Sequence, residues 1–416
     1  MTNTATAGVK PSRKFPMFSL LACVGCVIAA LALFYPPVTE YLDRMEYWTA
    51  DWRTVLLADP VPETHEGVVV VVFDPETFGG AHVAPIPRDL HAQIIRALDA
   101  MGPSAIGLDF YFVSGQTPEK DGVFIETLRE AKSPIVLGAI DQHTEEFSER
   151  QQGYQQQFLA KVGRAAGYIS LKYDPGQVVR RTSPPLEESA YKESFARQVA
   201  VAAGGELKGP GTSSTSTRVA WVVGPQGNTQ PFLTISAKDL LPGADAARLQ
   251  DLERRIRGNV VLTAYAMPNS DLHDTALSVW TEDKMLGGMI HALIIAQLLD
   301  GRYFFELEGT QRMTLLVAVA VIGLFLGWAV RGKPAALLNL TVATAILVGV
   351  DAACYYFLRI VLPFTLALYL WFIGVVAGQH LHALANWAGS RRQARSARAP
   401  REARRSSPRI NKETAK

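Results

Sequence analysis

Four long runs of uncharged, apolar residues constrain this chain more than any other feature of its sequence. The first extends from Phe15 to Thr39, and three more cover residues 313–330, 335–358 and 360–378, with Asp351 as their single charge. About 20 apolar residues in a helix cross the roughly 30 Å hydrocarbon core of a bilayer. The sequence therefore predicts four transmembrane helices, at residues 15–36, 311–331, 334–358 and 360–384.

The first run is expected to remain as a membrane anchor. A cleaved signal peptide has a shorter apolar region followed by a cleavage site of small residues. The residues after this run, FYPPVTEYLD, offer no obvious site of that kind.

Basic residues mark the side of the membrane on which each connection lies. Lys10, Arg13 and Lys14 precede the first run, and Arg331 and Lys333 separate the second from the third. By the positive-inside rule these segments are cytoplasmic. The sequence thus predicts a membrane protein with a cytoplasmic amino terminus (1–14), an extracytoplasmic domain (37–310), a small outer turn near Arg359 and a cytoplasmic tail (388–416).

Charge is distributed unevenly along the chain, whose formal total is +2. Residues 15–310 carry 24 basic and 36 acidic side chains, a net charge of −12. This excess disfavours nucleic acid as a partner. The basic tail has low complexity and no aromatic residue, which predicts a disordered segment. Because it directly follows a cytoplasmic helix end, it is expected to bind anionic membrane lipids.

Cysteine provides no covalent support for the outer region. The three cysteines, Cys23, Cys26 and Cys354, all lie in predicted membrane helices, so no disulfide is expected outside them. Cys23 and Cys26 have the spacing of a zinc or redox pair, but with no other ligand in that helix, packing is the favoured interpretation.

The outer region alternates between strand and helix patterns. The run GVVVVVFD predicts a buried strand that ends at Asp74, and RDLHAQIIRALDAMG predicts an amphipathic helix. SAIGLDFYF predicts a second strand that ends near Asp109, followed by a helix over 122–131 and a third strand, PIVLGAI. This alternation predicts an α/β fold, a mixed-sheet sandwich with helices on its faces.

The second half of this region is less regular. GYISLKYDPGQVVRRTSP predicts a strand, a turn and a strand, and GPGTSSTSTRVAWVVGPQGNTQPFLTI predicts a loop that feeds a hairpin. NVVLTAY predicts another strand. LGGMIHALIIAQLLDG is apolar, but only about 15 residues separate Lys284 from Asp300, so it is expected to be a core helix and not a membrane span.

Strand ends and one helix start supply three candidate ligand-binding residues. Asp74 and Asp109 end strands, and ligands of open α/β sheets bind outside the carboxyl ends of strands; the alternative is that they cap helices or pair with Arg88. Arg88 itself lies at a helix start, where it could bind an anion. Its alternative is an internal ion pair with Asp74 or Asp109.

The stretch NSDLHDTAL adds three further candidates, Asp271, His273 and Asp274. Two carboxylates and an imidazole could ligate a metal, but zinc needs a further converging ligand, and the region has no HExxH, cysteine cluster or P-loop. A polar ligand or signalling loop is favoured, with no metal, cofactor or catalytic residue. His91 and His291 are interpreted as hydrogen-bonded core histidines. Asp351 is either functional or a boundary residue.

Several stretches, in their order along the chain, resemble one known family. They are Asp51-Trp-Arg53, VVVVFDPETF, PRDLHAQIIRAL, AIGLDFYF, Asp174 with VVRR, Ser194-Phe195-Ala196, GNVVLTAYA and GGMIHALIIAQLLDG. Together with one span before the domain and three after it, they resemble the second type of CHASE domain, an extracytoplasmic sensory module of bacterial membrane receptors. Two departures are TAYAMPN, where a glycine-rich turn is usual, and Asp274-Thr275-Ala276, where Thr-Pro follows the aspartate.

The resemblance implies a sensor of the bacterial inner membrane, not an enzyme, that receives an unidentified small-molecule or periplasmic ligand. Members of the family commonly continue into a cyclase or kinase, for which this sequence has no room, so a separate signalling partner is expected. A homo-oligomer is an open alternative. Two other functions stay open: an extracytoplasmic metal-dependent hydrolase that uses Asp271, His273 and Asp274, and an accessory or structural subunit of a membrane complex.

Overall fold

The computed structural model describes residues 15–141, 147–205, 216–329 and 333–405. The chain divides into two compact units. Trp48–Glu306 and Cys354–Val361 form the first, here named the α/β unit. Met1–Tyr47, Leu307–Ala353 and Leu362–Lys416 form the second, here named the helical unit.

Regular elements cover most of the described chain. The helices are α1 (Met17–Leu31), α2 (Pro36–Leu57), α3 (Arg88–Met101), α4 (Pro118–Glu130), α5 (Glu149–Val162), α6 (Phe195–Ala202), α7 (Ala246–Ile256), α8 (Ser278–Thr281), α9 (Gly287–Leu299), α10 (Gly309–Ala329), α11 (Lys333–Leu358) and α12 (Phe364–Arg405). The strands are β1 (Asp59–Pro60), β2 (Val68–Phe73), β3 (Ala105–Leu108), β4 (Ile135–Ala139), β5 (Ala165–Tyr168), β6 (Lys172–Asp174), β7 (Val178–Arg181), β8 (Val222–Val223), β9 (Leu233–Ser236), β10 (Val260–Tyr265), β11 (Leu272–Thr275), β12 (Met285–Leu286), β13 (Phe305–Glu306) and β14 (Ile360–Val361).

The main sheet of the α/β unit has six strands in the order β5-β4-β3-β10-β2-β9, and all neighbours are parallel. Its strand β2 is an unbroken run of five valines and a phenylalanine, and every one of them is buried. Continuous β-branched runs of this kind suit parallel strands covered on both faces. The predicted strands are confirmed; this sheet is wholly parallel, and the predicted mixed pairing occurs in the second sheet of the same unit.

Helices cover both faces of the main sheet. Alternate residues of β2 enter two separate cores: Val68, Val70 and Val72 pack with α6 and α9, and the intervening residues pack with α3, α4, α5 and α7. This division follows from the two-residue period of a strand. An α/β fold with helices on both faces of a sheet was therefore predictable from the sequence.

Helix boundaries follow local capping. Helix α3 ends at Met101, and Gly102, which follows it, has the φ of 71° that suits glycine at the end of a helix. Helix α4 begins at Pro118, four residues before its predicted start, because the Thr117 side chain caps it and proline fits the first turn. In α9, 12 of 13 residues are buried, which confirms the predicted core helix.

A second, four-stranded sheet has the order β12-β11-β7-β6. Strands β6 and β7 are antiparallel, as the predicted strand, turn and strand required, and β11 runs parallel to β7. The predicted hairpin is wrong. Strand β8 pairs with β1, whereas β9 joins β2 in the main sheet, where Ile235 is buried in the core beneath the sheet. Burial of that side chain outweighs local pairing.

Within the described residues, four helices are long and apolar enough to cross a membrane. These candidate spans are Met17–Phe34, Gly309–Ala329, Leu340–Leu358 and Phe364–Gln393. They confirm the four apolar runs as helices by length and composition. Asp351 is a buried residue of α11, and Cys23, Cys26 and Cys354 are free thiols.

The last helix differs from its prediction at both ends. Ile360 and Val361 form β14, which pairs with β13, and α12 starts only after Pro363. At its other end α12 continues to Arg405, into the segment for which the sequence predicts disorder. Alanine and arginine, frequent there, are strong helix formers. Residues 406–416, the amino terminus 1–14 and Arg331 lie outside the described residues.

Candidate functional site

A cavity of about 690 Å³ lies at the carboxyl ends of the main parallel strands. Its wall includes the residues after β3 (109–112), the residues after β5 (169–171), the loop before α3 (84–86) and the start of α9. Ligands of parallel α/β sheets gather at this end of the strands. The volume falls in the range of small-molecule sites, roughly 300–1,000 Å³.

Asp109 is the most buried carboxyl group of the cavity. Its backbone N–H donates to the carbonyl of Thr263 on β10 (3.0 Å), which holds the residue at the strand end. Its side chain is 7% exposed, and Oδ1 lies 3.8 Å from Nε2 of His291. Burial, and then the negative charge of Asp271, raise the pKa of Asp109 well above its ordinary value. The carboxyl group therefore keeps its proton where an exposed aspartate is ionised.

Tyr173, His273 and Asp271 form a hydrogen-bonded line on the cavity wall. His273 Nε2 lies 2.8 Å from Asp271 Oδ1, and His273 Nδ1 lies 2.7 Å from the hydroxyl oxygen of Tyr173. A carboxylate can only accept, so Nε2 carries the proton in neutral His273 and Nδ1 accepts from the tyrosine. The three side chains thus fix one another's orientation.

Two consecutive glycines let both carboxyl groups approach the start of α9. A Cβ atom at Gly287 would overlap the carboxyl group of Asp271, and one at Gly288 would lie 3.3 Å from Asp109 Oδ2 and overlap the side chain of Ala264. The Gly287 N–H also donates to the carbonyl of Asp271 (2.9 Å). The Gly-Gly pair is therefore a requirement of the site geometry.

Two buried histidines also line the cavity. His291 on α9 lies 3.1 Å through Nε2 from the carbonyl of Ile169, and its pKa is lowered to about 4 because burial disfavours the charged ring. His91 on α3 is surrounded by the rings of Phe73, Phe110 and Phe124, and burial followed by the Arg88 charge lowers its pKa to about 3. Both rings are neutral at pH 7.

Arg88 lines the cavity but is held by internal partners. Its Nε lies 3.4 Å from Asp121 Oδ1, Nη2 donates to the carbonyl of Ser114 (3.0 Å), and the guanidinium lies 4.4 Å from the ring centre of Phe112. Burial lowers its pKa from the ordinary value. An internal ion pair was predicted, but its partner is Asp121 and not Asp74 or Asp109, because α4 packs against α3.

The family model described as the CHASE2 domain matches residues 24–330, about three quarters of the chain. The chain belongs to the CHASE2 domain family. CHASE2 domains are sensory, so a membrane sensory protein is the class to which the family and the four apolar helices point. Searches of curated proteins and of solved structures found no match.

Two of the six predicted ligand residues lie outside the cavity of this CHASE2 domain. Asp74 caps a short 3₁₀ helix: its Oδ1 accepts from the Thr77 N–H (3.0 Å) and from the Ser236 hydroxyl (2.9 Å). Asp274 pairs with Lys284 at 3.4 Å. Asp74 thus has the capping role that was its alternative, and the cavity gathers Arg88, Asp109, Asp271 and His273.

Among the other residues that line the cavity, His91, His291 and Tyr173 bring polar side-chain groups and were not among the candidate ligand residues. The two histidines are core residues, as predicted, yet they also face the cavity. Each follows a helix start by a few residues, which is the signal that could have identified them. In the described part of the chain, no group of three His, Cys, Asp or Glu side chains is placed to hold a metal ion.

Asp174 and the paired arginines Arg180 and Arg181 of the family pattern form ion pairs that hold elements of the CHASE2 domain together. Arg180 donates two hydrogen bonds to Asp51 (2.8 and 2.7 Å), and both residues are buried. Arg181 contacts Asp174 (2.6 Å) and Glu306 (2.9 Å). These pairs connect α2, the second sheet and β13, and none of the five lines the cavity.

Proposed function

We propose that this CHASE2 protein is a receptor of the bacterial inner membrane that binds a small molecule in the cavity at Asp109, Asp271 and His273. The observation that carries the proposal is the cavity itself. It combines an apolar and aromatic wall with a few convergent polar groups, the usual composition of a ligand site. Its place at the carboxyl ends of parallel strands agrees with this role.

The proposed topology puts the α/β unit outside the cytoplasm. The turn between α11 and α12 supports it, because this turn belongs to the α/β unit: Arg359 Nη2 lies 2.6 Å from Asp59 Oδ1, and β14 pairs with β13. Lys10, Arg13 and the basic tail favour the cytoplasm for the other ends. Alkaline phosphatase fused after Gly243 should be active, and fused after Gly389 inactive; the reverse pattern would contradict the topology.

Ligand binding becomes a signal only if the ligand prefers one of two conformations. We propose that the helices α1, α10, α11 and α12 carry this difference to a separate signalling protein, with the basic tail on anionic lipid.

A pair of matched variants tests the binding function. Ala84 is exposed and lines the cavity, whereas Ala81, also exposed, does not. Purified full-length protein is screened by thermal shift against several hundred small metabolites of every charge class. We expect compounds that raise the melting temperature of wild type and of Ala81→Trp but not of Ala84→Trp. If no compound shows this pattern, the receptor function is wrong and an accessory structural role is favoured.

The hydrolase alternative receives less support. It needs Asp271, His273 and Asp274 to converge, but Asp274 pairs with Lys284 and does not line the cavity. Divalent metal at one equivalent per chain in the purified protein, lost in His273→Ala, would restore this alternative.

A further inference from the structure

The cavity wall has more carboxyl groups than cations. Asp109 and Asp271 line it, and Arg88 is the only lysine or arginine that does so among the residues that the structure describes. The guanidinium of Arg88 is already bound by Asp121 and by the carbonyl of Ser114. A ligand in the cavity therefore meets the negative charge of Asp271 and a second carboxyl group, Asp109, whose ionised form a cation would favour.

The polar atoms left for a ligand are mainly acceptors. His291 Nε2 faces a carbonyl, which can only accept, so Nε2 carries the proton of the neutral ring and Nδ1 is an acceptor. This Nδ1 is buried without a hydrogen-bond partner among the described atoms, on a side chain that is 5% exposed. Asp271 uses Oδ1 for His273, and no described residue donates to its Oδ2. A ligand that carries N–H donors would satisfy Asp271 Oδ2.

Aromatic rings form much of the remaining wall. The rings of Phe110, Tyr111, Phe112, Tyr173 and Tyr265 all line the cavity. The face of an aromatic ring attracts a cation, by about 0.5–1 kcal/mol at exposed sites and more where water is excluded. The same rings offer an apolar surface to the body of a ligand.

The two aspartates at the start of α9 disfavour an anionic ligand. A helix amino terminus carries partial positive charge and attracts anions. Here the carboxyl groups of Asp271 and Asp109 lie against Gly287 and Gly288, the first two residues of α9. The protein's own carboxyl groups therefore fill the place that a ligand anion would take.

Building on the proposed receptor function, we propose that the cavity binds a primary organic amine, with its ammonium group at Asp109 and Asp271 and its apolar or aromatic body against the rings. A primary ammonium group offers three N–H donors to the carboxyl oxygens of Asp109 and Asp271. A quaternary ammonium group has the same charge but no donor, so it satisfies none of these acceptors.

Four probes of similar size test the ligand class. Phenethylamine, its trimethylammonium analogue, 2-phenylethanol and 3-phenylpropanoate are titrated into full-length protein in lipid nanodiscs, with Ala84→Trp protein as the measure of partition into lipid. We expect phenethylamine to bind at least about tenfold more tightly than the other three, the change expected from one charged hydrogen bond.

Two neighbouring aspartates provide matched variants. Asp271→Asn removes a carboxylate of the cavity, whereas Asp274→Asn removes one three residues further on, in β11, that lies outside the cavity and pairs with Lys284. Both side chains are partly exposed, at 45% and 38%, so both variants should fold. Asp271→Asn should weaken phenethylamine binding about tenfold or more, and Asp274→Asn should leave it unchanged within about twofold.

Asp109 adds a readout that a merely structural role would not give. The titratable and charged groups around it are Asp271 just before β11, His273 on β11, His291 on α9, and Arg88 and His91 on α3. An ammonium group beside Asp109 favours its ionised form, so binding releases its proton and wild-type affinity rises with pH. In Asp109→Asn this pH dependence of phenethylamine affinity should be smaller.

The outcomes separate the two proposals. If 3-phenylpropanoate or 2-phenylethanol binds as well as phenethylamine and Ala84→Trp abolishes the binding, the receptor function stands and the amine class is overturned. If the amine binds no better than the other probes, or Asp271→Asn has no effect, the amine class is also overturned. The receptor function is then judged by the metabolite screen alone.

Discussion

Helices α9 and α10 have similar apolar compositions, but α9 is almost completely buried and α10 is mostly exposed. In α9, a helix of 13 residues in the α/β unit, 12 residues are buried. In α10, a helix of 21 residues in the helical unit, only Leu316, Val319, Gly323 and Gly327 are buried. Apolar composition therefore does not decide between a core helix and a candidate membrane helix. Length does, since 13 residues at 1.5 Å each reach only about 20 Å.

The two helices also differ in how they make specific contacts. Helix α9 buries two polar side chains, His291 and Gln297, which bond to backbone groups of neighbouring segments. Helix α10 instead places Gly323 and Gly327 against the backbone of α12. In turn, Gly374 and Gly378 of α12 lie against the backbone of α10. Small residues that allow close backbone approach are the usual means of specific packing in lipid. Hydrogen bonds therefore specify the contacts of α9, and small residues specify the contact of α10 with α12.

The largest effect is expected where a polar contact of α9 is removed. Gln297 Oε1 accepts from the Ala220 N–H (2.7 Å) and Nε2 donates to the carbonyl of Arg218 (3.0 Å). Gln297→Met keeps an unbranched side chain but leaves both groups buried without this partner, at a cost of about 3 kcal/mol. Urea unfolding of the full-length protein, followed by tryptophan fluorescence, measures it. The exposed Gln250→Met should change stability by less than about 0.5 kcal/mol; equal losses would contradict the contrast.

A second test reverses the usual effect of alanine in a helix. Alanine at Gly288 of α9 would overlap Ala264, whereas a Cβ at Gly122 of α4 meets nothing within 4 Å. Gly288→Ala should therefore destabilise the protein by about 2 kcal/mol, as overpacking does. Gly122→Ala should stabilise it by about 0.5–1 kcal/mol, since alanine is the better helix former. Two changes of the same sign in thermal unfolding would show that the close approach at Gly288 is not constraining.

The sequence predicted those parts of the fold that depend on local pattern. The valine run of β2, the amphipathic α3 and the short apolar α9 each carry a period or a length that only one environment satisfies. It failed for β9, because the choice between a hairpin with β8 and a place beside β2 depends on burial of Ile235 against distant residues. It also missed the helical continuation of α12.

The candidate site was predictable only in part, for the same reason. Asp109 was identified because it ends a strand, and strand ends share one edge of a parallel sheet. Tyr173 was not, because it meets His273 only after β6, β7 and β11 have assembled across 100 residues of sequence. Asp74 also ends a strand, but its hydroxyl neighbours Thr77 and Ser236 bind it. A strand-end position shows where a side chain lies, not whether it is free.

The glycine contact of the helical unit gives a smaller expected effect. A Cβ at Gly327 would overlap the carbonyl of Val375, whereas one at Gly349 of α11 meets nothing within 4 Å. Gly327→Leu should weaken the packing of α10 on α12 by about 1–2 kcal/mol, and Gly349→Leu should have little effect. Unfolding in mixed micelles with increasing dodecyl sulfate measures both. Gly349→Leu should leave ligand binding in the α/β unit unchanged. If dodecyl sulfate unfolds the two variants equally easily, the glycines do not specify the packing of α10 on α12.

The smallest expected effect is a loss of folding stability at low pH. Buried histidines make the stability of the α/β unit depend on pH, whereas the glycine contacts of α10 contain no titratable group. Burial, and then the charge of Arg88, lower the pKa of His91 to about 3 in the folded protein, below the ordinary value of 6.5. The unfolded chain therefore takes up a proton first as the pH falls below 6.5, and the stability that neutral His91 contributes is lost progressively down to about pH 3. Between pH 6.5 and 5.5 this loss is about 1 kcal/mol.

Asp109 has the opposite effect on stability as the pH falls, because its pKa is raised. The measurement is therefore a difference in stability between two proteins that both keep Asp109. His91→Phe places another ring among Phe73, Phe110 and Phe124 and removes the titrating group. The stability of wild type relative to this variant, from urea unfolding at the two pH values, should fall by about 1 kcal/mol at the lower one. A constant difference would mean that His91 reaches solvent often enough to be protonated in the folded state.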